Sequence, residues 1–200
     1  MVMPNLLILL HSAALLEQLY AFTLHFSKPA NGHRARTHRN ALVLLSAGCT
    51  ISATIGLLLA RPTLASISGG LAALLLLSGI LLFAWAALTS RPGRFSAIFG
   101  EVKPEEVVSH GPYAYLRHPT YAAYSLAWLG AIVAMFAAEV EVHRFLVFIA
   151  CACYAGLLLL YYRAAVQEEA QFTTNAADGT RERYKAYQRR VKARWVPGIA

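Results

Sequence analysis

Two short stretches carry the residue types that do chemistry. The first, GPYAYLRHPTY (residues 111–121), sets Arg117 and His118 between two prolines, with Tyr113, Tyr115 and Tyr121 around them. The second, YYRAAVQEEAQF (residues 161–172), carries Arg163 and the adjacent carboxylates Glu168 and Glu169. A guanidinium pairs with anions in a fixed fork, an imidazole titrates near neutrality, and aromatic faces attract cations. Adjacent carboxylates need cationic partners, which Arg117, Arg163 or a bound cation would supply. Tyrosines and a snorkelling arginine are also ordinary at a membrane surface. That plainer reading covers Arg117 and two of the tyrosines, but not an Arg-His-Pro triplet pinned between turns. Residue types alone therefore give a polar site at a membrane interface.

The elements that must position these residues are apolar helices. Hydrophobic residues make up 58% of the 200 and charged residues 14%, against about a quarter charged in a soluble domain; the mean hydropathy is +0.48. A bilayer span needs about 20 apolar residues, and five runs approach that length: residues 4–26, 41–60, 64–89, 121–138 and 145–162. The expectation is an all-α, polytopic membrane bundle of about five transmembrane helices. It forms a single membrane domain over 1–200, with three helices in 1–89 and a catalytic part in 90–200. The first run lacks a basic leader and a small-residue cleavage site, so it reads as a mature helix.

Charge sets the orientation. All but Arg61 and Arg144 of the 18 Lys and Arg fall in residues 27–40, 90–120 and the tail from 163. With five spans these share one face, which the positive-inside rule makes cytoplasmic, leaving the N-terminus outside. The net charge of +8 then reads as a basic face beside anionic lipid, with no nucleic acid as partner. Cys49, Cys151 and Cys153 lie in apolar runs and read as small hydrophobes, with neither a disulfide nor a metal site expected. There is no Gly-x-Gly-x-x-Gly and no P-loop.

The short link after the fourth run makes the fourth and fifth helices antiparallel neighbours, so both polar stretches emerge at one end. Pro119 suits the first position of the fourth helix and puts His118 near its cap. Tyr121, Tyr124 and Trp128 then make one aromatic stripe. Tyr154, Tyr161 and Glu168, spaced by sevens, share a face if the fifth helix persists beyond the bilayer. Tyr184, Tyr187, Val191 and Trp195 make an apolar stripe in the basic tail, suited to lying on lipid or to folding back over the site. In the first helix Glu17 reads most plainly as paired within the bundle or protonated, and functionally as a tunnel lining with His11.

Taken in order, Gly111-Pro112-Tyr113, Arg117-His118-Pro119 with Tyr121, a helical hairpin, Glu168-Glu169, Tyr184 with Tyr187, and Arg194-Trp195-Val196-Pro197 resemble the C-terminal signature of the isoprenylcysteine carboxyl methyltransferase family, relatives of phospholipid N-methyltransferases. The resemblance covers roughly residues 90–200. It implies a methyltransferase dependent on S-adenosylmethionine, with the cofactor in a cytoplasmic C-terminal pocket. Tyr113, Arg117, His118, Pro119, Tyr121, Glu168 and Glu169 are implied to line that pocket. Glu168 is also expected as a catalytic group: if the acceptor is an amine, Glu168 or Glu169 would take its proton. Arg163 is expected to orient a carboxylate acceptor. The acceptor is expected to be a lipid or a lipidated group such as a prenylated cysteine. The membrane would be the bacterial cytoplasmic membrane or the endoplasmic reticulum. Competing readings are a phospholipid (ethanolamine) N-methyltransferase, a silent membrane scaffold, and a sterol-reductase-like enzyme using NADPH.

Overall fold

A computed structural model describes residues 6–26, 33–60, 66–90, 106–136 and 142–195. They form six α-helices: α1 (Leu6–Phe26), α2 (His33–Ala60), α3 (Ile67–Ser90), α4 (Pro119–Phe136), α5 (Val142–Thr174) and α6 (Asp178–Arg190). A 3₁₀ turn, Gly111–Ala114, precedes α4, and there is no strand among the described residues. The basic stretch 91–105 and the 137–141 link of the expected hairpin lie outside the described residues, as do residues 27–32 of the basic loop and Val196-Pro197.

The all-helical membrane bundle expected from composition is what the chain forms. Four helices are long and apolar enough to cross a bilayer: Arg36–Leu59, Ile67–Ser90, Pro119–Phe136 and Arg144–Thr174. The first expected span, residues 4–26, falls on α1, whose described apolar stretch is Leu6–Ala21. Leu16, Leu44, Leu74, Leu88, Phe145 and Phe148 all point outward. In water such a surface would be an aggregation hazard; against acyl chains it is the ordinary exterior.

With acyl chains outside, helices gain little from burying more hydrocarbon and associate through close packing of small residues. α3 and α4 do this. The α3 stripe Gly69, Ala72, Leu76, Gly79, Phe83 and Ala86 is buried against Ala123, Ala127 and Ala131 of α4, all nearly inaccessible. A Cβ at Gly79 would come within 2.9 Å of the Ala123 carbonyl oxygen, so the backbones could not approach this closely with a larger residue.

Two helices outrun their apolar runs. α2 starts at His33, drawing part of the expected basic loop into the helix. α5 continues to Thr174, well past the apolar run that ends near residue 162. The 31 residues of Arg144–Thr174 would reach about 46 Å at 1.5 Å per residue, against about 30 Å of hydrocarbon. The extra turns leave the bilayer as helix and carry Glu168 and Glu169.

Candidate functional site

The site is built from the start of α4, the protruding end of α5 and the returning tail. Gly111 opens it. Its φ of +58° is a conformation glycine adopts without a Cβ penalty, and a Cβ there would also meet the Thr89 side chain at 2.6 Å. The 3₁₀ turn is thereby seated on the end of α3. Pro119 takes the first helical position, where its missing N–H costs nothing. The His118 carbonyl accepts from the Ala122 amide at 3.3 Å, so His118 caps α4.

His118 is the hub. Its Nδ1 lies 3.4 Å from Glu168 Oε2 and its Nε2 3.2 Å from Glu169 Oε1. A neutral imidazole has only one N–H, so two carboxylate acceptors call for the imidazolium. Burial works against that charge, but the hydrogen bonds and charges of both glutamates outweigh it and raise the pKa above the ordinary 6.5. Adjacent carboxylates on one helix are thus bridged by a single ring.

Glu169 is fully engaged. Arg117 Nη1 lies 3.0 Å from its Oε2, and each of these side chains is only 8% exposed. Arg194 Nε approaches Oε1 at 3.2 Å, and Gln188 donates to Oε2 at 3.4 Å. Glu168 is freer: besides His118 it accepts, among the described residues, only the Tyr121 hydroxyl, at 2.5 Å, and its side chain is 16% exposed. Tyr121 stacks between His118 (5.5 Å, 14°) and Tyr161 (5.3 Å, 8°), and Tyr124 leans on Tyr161 at 6.0 Å. The expected faces are real: Tyr121, Tyr124 and Trp128 are all buried, and Tyr161 and Glu168 sit one above the other on α5.

The tail folds back over the site. Tyr184, Tyr187 and Val191 are buried against Val107 and Phe172, with Phe172 stacked on Tyr184 at 4.1 Å. The apolar face of α6 is therefore used inside the protein and not on lipid. The Tyr187 hydroxyl donates to the Tyr113 carbonyl at 2.8 Å, with the Leu116 carbonyl 3.3 Å away. Beyond α6 the chain crosses the Arg-His-Pro segment as a strap. The Arg117 amide donates to the Ala193 carbonyl (3.0 Å) and the His118 amide to that of Arg194 (2.7 Å). Arg117 Nη2 donates to the Lys192 carbonyl at 3.0 Å. The Arg194 guanidinium lies 5.3 Å above the Tyr162 ring, and Trp195 meets the same ring edge-on.

Of the residues singled out from sequence, Arg117, His118, Pro119, Tyr121, Glu168 and Glu169 come together, and Tyr113 joins them through its backbone. Arg163 does not: it is exposed on another face of α5, since five residues at 3.6 per turn place it well round the helix from Glu168. Sequence reasoning missed Arg194, Gln188 and Tyr161 as parts of the cluster. Arg194 was visible in the Arg-Trp-Val-Pro motif; nothing in spacing marked Gln188.

A family model described as phospholipid methyltransferase matches residues 67–175, more than half of the chain. The matched region runs from α3 to the end of α5, taking in Arg117-His118 and Glu168-Glu169 and stopping before α6 and the strap. No curated protein and no solved structure matches the chain.

Proposed function

Because the chain belongs to the phospholipid methyltransferase family and is a membrane methyltransferase, we propose that it transfers a methyl group from S-adenosylmethionine to an acceptor carried in the bilayer. Methyltransferases of this family generally use that cofactor. The single observation that carries the reading for this chain is the unequal engagement of the two glutamates: Glu169 is saturated while Glu168 keeps acceptor capacity beside a buried cation.

The residues present fit the cofactor. Arg117 Nε is buried and lacks a hydrogen-bond partner among the described residues, so it has a donor to offer the cofactor carboxylate. Glu168 has lone pairs for an ammonium or for ribose hydroxyls. The stacked rings of His118, Tyr121 and Tyr161 offer faces to a cation. When bound, S-adenosylmethionine supplies a methyl group on a sulfonium sulfur. The protein's part is chiefly orientation: Arg117, held by Glu169 and the Lys192 carbonyl, and Glu168, held by Tyr121 and His118, fix the two ends of the ligand. The strap over residues 117–118 keeps water from them.

The chain-order signature resembles enzymes that methylate a prenylcysteine carboxylate, while the matching model is described for phospholipids. For a carboxylate acceptor, exposed Arg163 is the proposed orienting cation, reached from the lipid side. For an amine, Glu168 is the proposed proton acceptor. The basic residues support a cytoplasmic site with the N-terminus outside, as one membrane unit.

Calorimetric titration of S-adenosylhomocysteine into detergent-purified protein, with NADPH as control, tests the reading. Micromolar binding is expected, weakened about tenfold or more (about 1.4 kcal/mol) by His118→Ala. No binding to folded protein, or NADPH binding in its place, would overturn it.

A further inference from the structure

α1 lies outside the region that matches the family, and it carries the chain's one intramembrane carboxylate among the described residues of α1 to α4. Its buried stripe is Leu7, His11, Ala14, Gln18 and Ala21, with exposures of 0, 3, 3, 8 and 1%. Spacings of four and three keep these positions on one face. Ala21 and Leu15 pack into the same core cluster as Tyr121, Tyr124 and Tyr161, so the stripe reaches the membrane side of the site. His11 is accounted for, bonded through Nε2 to Thr54 Oγ1 of α2 at 3.1 Å. Its neighbours are not. Gln18 is more than nine-tenths buried, and neither its amide nor the half-buried Glu17 carboxylate makes a hydrogen bond or ion pair among the described residues. Glu17 stands one turn before Ala21 on the helix, and Ala21 packs into the cluster that holds Tyr124 and Tyr161; Tyr124 leans on Tyr161 beneath Glu168 and Tyr121.

An ionisable group inside a membrane is costly and faces the bundle or a cavity where a partner can reach it. A carboxylate beside a buried amide offers acceptors to a cation and donors to an adjoining ester or phosphate oxygen. We infer that Glu17, with Gln18, is the acceptor-binding station of this enzyme and selects a lipid-borne ammonium headgroup. A bound ammonium would hold Glu17 ionised, whereas a carboxylate acceptor would find no counter-charge there, so the station also disfavours the acid. This rests on the methyltransferase reading and on an amine acceptor, and adds to them the element and residues that recognise it.

The test uses the full chain in phosphatidylcholine nanodiscs, with labelled S-adenosylmethionine and two acceptors: phosphatidylethanolamine and N-acetyl-S-farnesylcysteine. Wild type should methylate the amine in preference to the acid. Glu17→Gln should raise the KM for phosphatidylethanolamine about tenfold or more while affinity for S-adenosylhomocysteine stays within about twofold. Glu17→Asp should recover most of the loss, and Gln18→Leu should raise the same KM with the carboxylate intact. An unchanged KM in Glu17→Gln and Gln18→Leu overturns the inference. So does preferred methylation of farnesylcysteine, or a parallel loss of S-adenosylhomocysteine affinity, which marks a structural role. If wild type itself binds no S-adenosylhomocysteine, the methyltransferase reading falls first, and the titration shows this before any acceptor is added.

Discussion

At the scale of single residues, the adjacent glutamates have different work. Glu169 accepts from Arg117, His118, Arg194 and Gln188, so it joins α4, α5, α6 and the strap and has little left to give a ligand. Removing one member of a buried ion pair leaves the other charge without compensation, at about 3–5 kcal/mol. Glu169→Gln is therefore expected to destabilise the protein by about 3 kcal/mol, less what a neutral amide recovers by hydrogen bonding. A fall in the thermal midpoint without ligand would register it. Glu168→Gln should lower the midpoint less, since it loses only the His118 pair while an amide oxygen still accepts from Tyr121, and should weaken S-adenosylhomocysteine binding about tenfold. Equal effects of the two substitutions on both measurements would refute the division. Sequence made this pair visible as an adjacent, unbalanced charge. It did not reveal which member faced inward, because that depends on donors from a tail 19 and 25 residues away.

At the scale of elements, the protruding end of α5 and the returning tail decide the site. The apolar runs were legible because hydropathy marks them directly, and α3 and α4 fall close to the expected bounds while α2 and α5 run on into polar sequence. The last turns of α5 were not, because Arg-Ala-Ala-Val-Gln-Glu-Glu-Ala reads as polar whether it is loop or helix. For the tail, the stripe Tyr184-Tyr187-Val191 had equal claims to lipid and to protein. Burial against Phe172 and Val107 and the Tyr187 hydroxyl decide for protein. That hydroxyl links α6 to the 3₁₀ turn, and losing a buried hydrogen bond whose carbonyl partner stays buried costs about 1–2 kcal/mol. Tyr187→Phe should speed amide hydrogen exchange at residues 113–118, and at the Arg117 and His118 amides that the strap covers. Unchanged exchange would mean the strap is held by Arg194 and Trp195 without help from α6.

At the scale of the whole molecule, orientation in the bilayer determines whether the site can work as proposed. The start of α4, the end of α5 and α6 lie at one end of the bundle, and that end carries most of the Lys and Arg. α6 turns Arg183, Lys185 and Arg189 outward because its tyrosines point in. A basic exposed face is attracted to anionic lipid, at about 1 kcal/mol per charge near the surface, and the same bias would retain it in the cytoplasm during insertion. A cofactor made in the cytoplasm would then meet its pocket without crossing the membrane, while an acceptor enters sideways from the leaflet. Single cysteines introduced at Lys185 and at Glu139, in a chain with Cys49, Cys151 and Cys153 replaced by alanine, read the orientation with an impermeant maleimide. Lys185→Cys should label only after cells are permeabilised, and Glu139→Cys in intact cells. The reverse pattern would put the cofactor cluster on the outer face, away from any cytoplasmic supply of S-adenosylmethionine, and the proposed function would fail even if the purified protein bound S-adenosylhomocysteine.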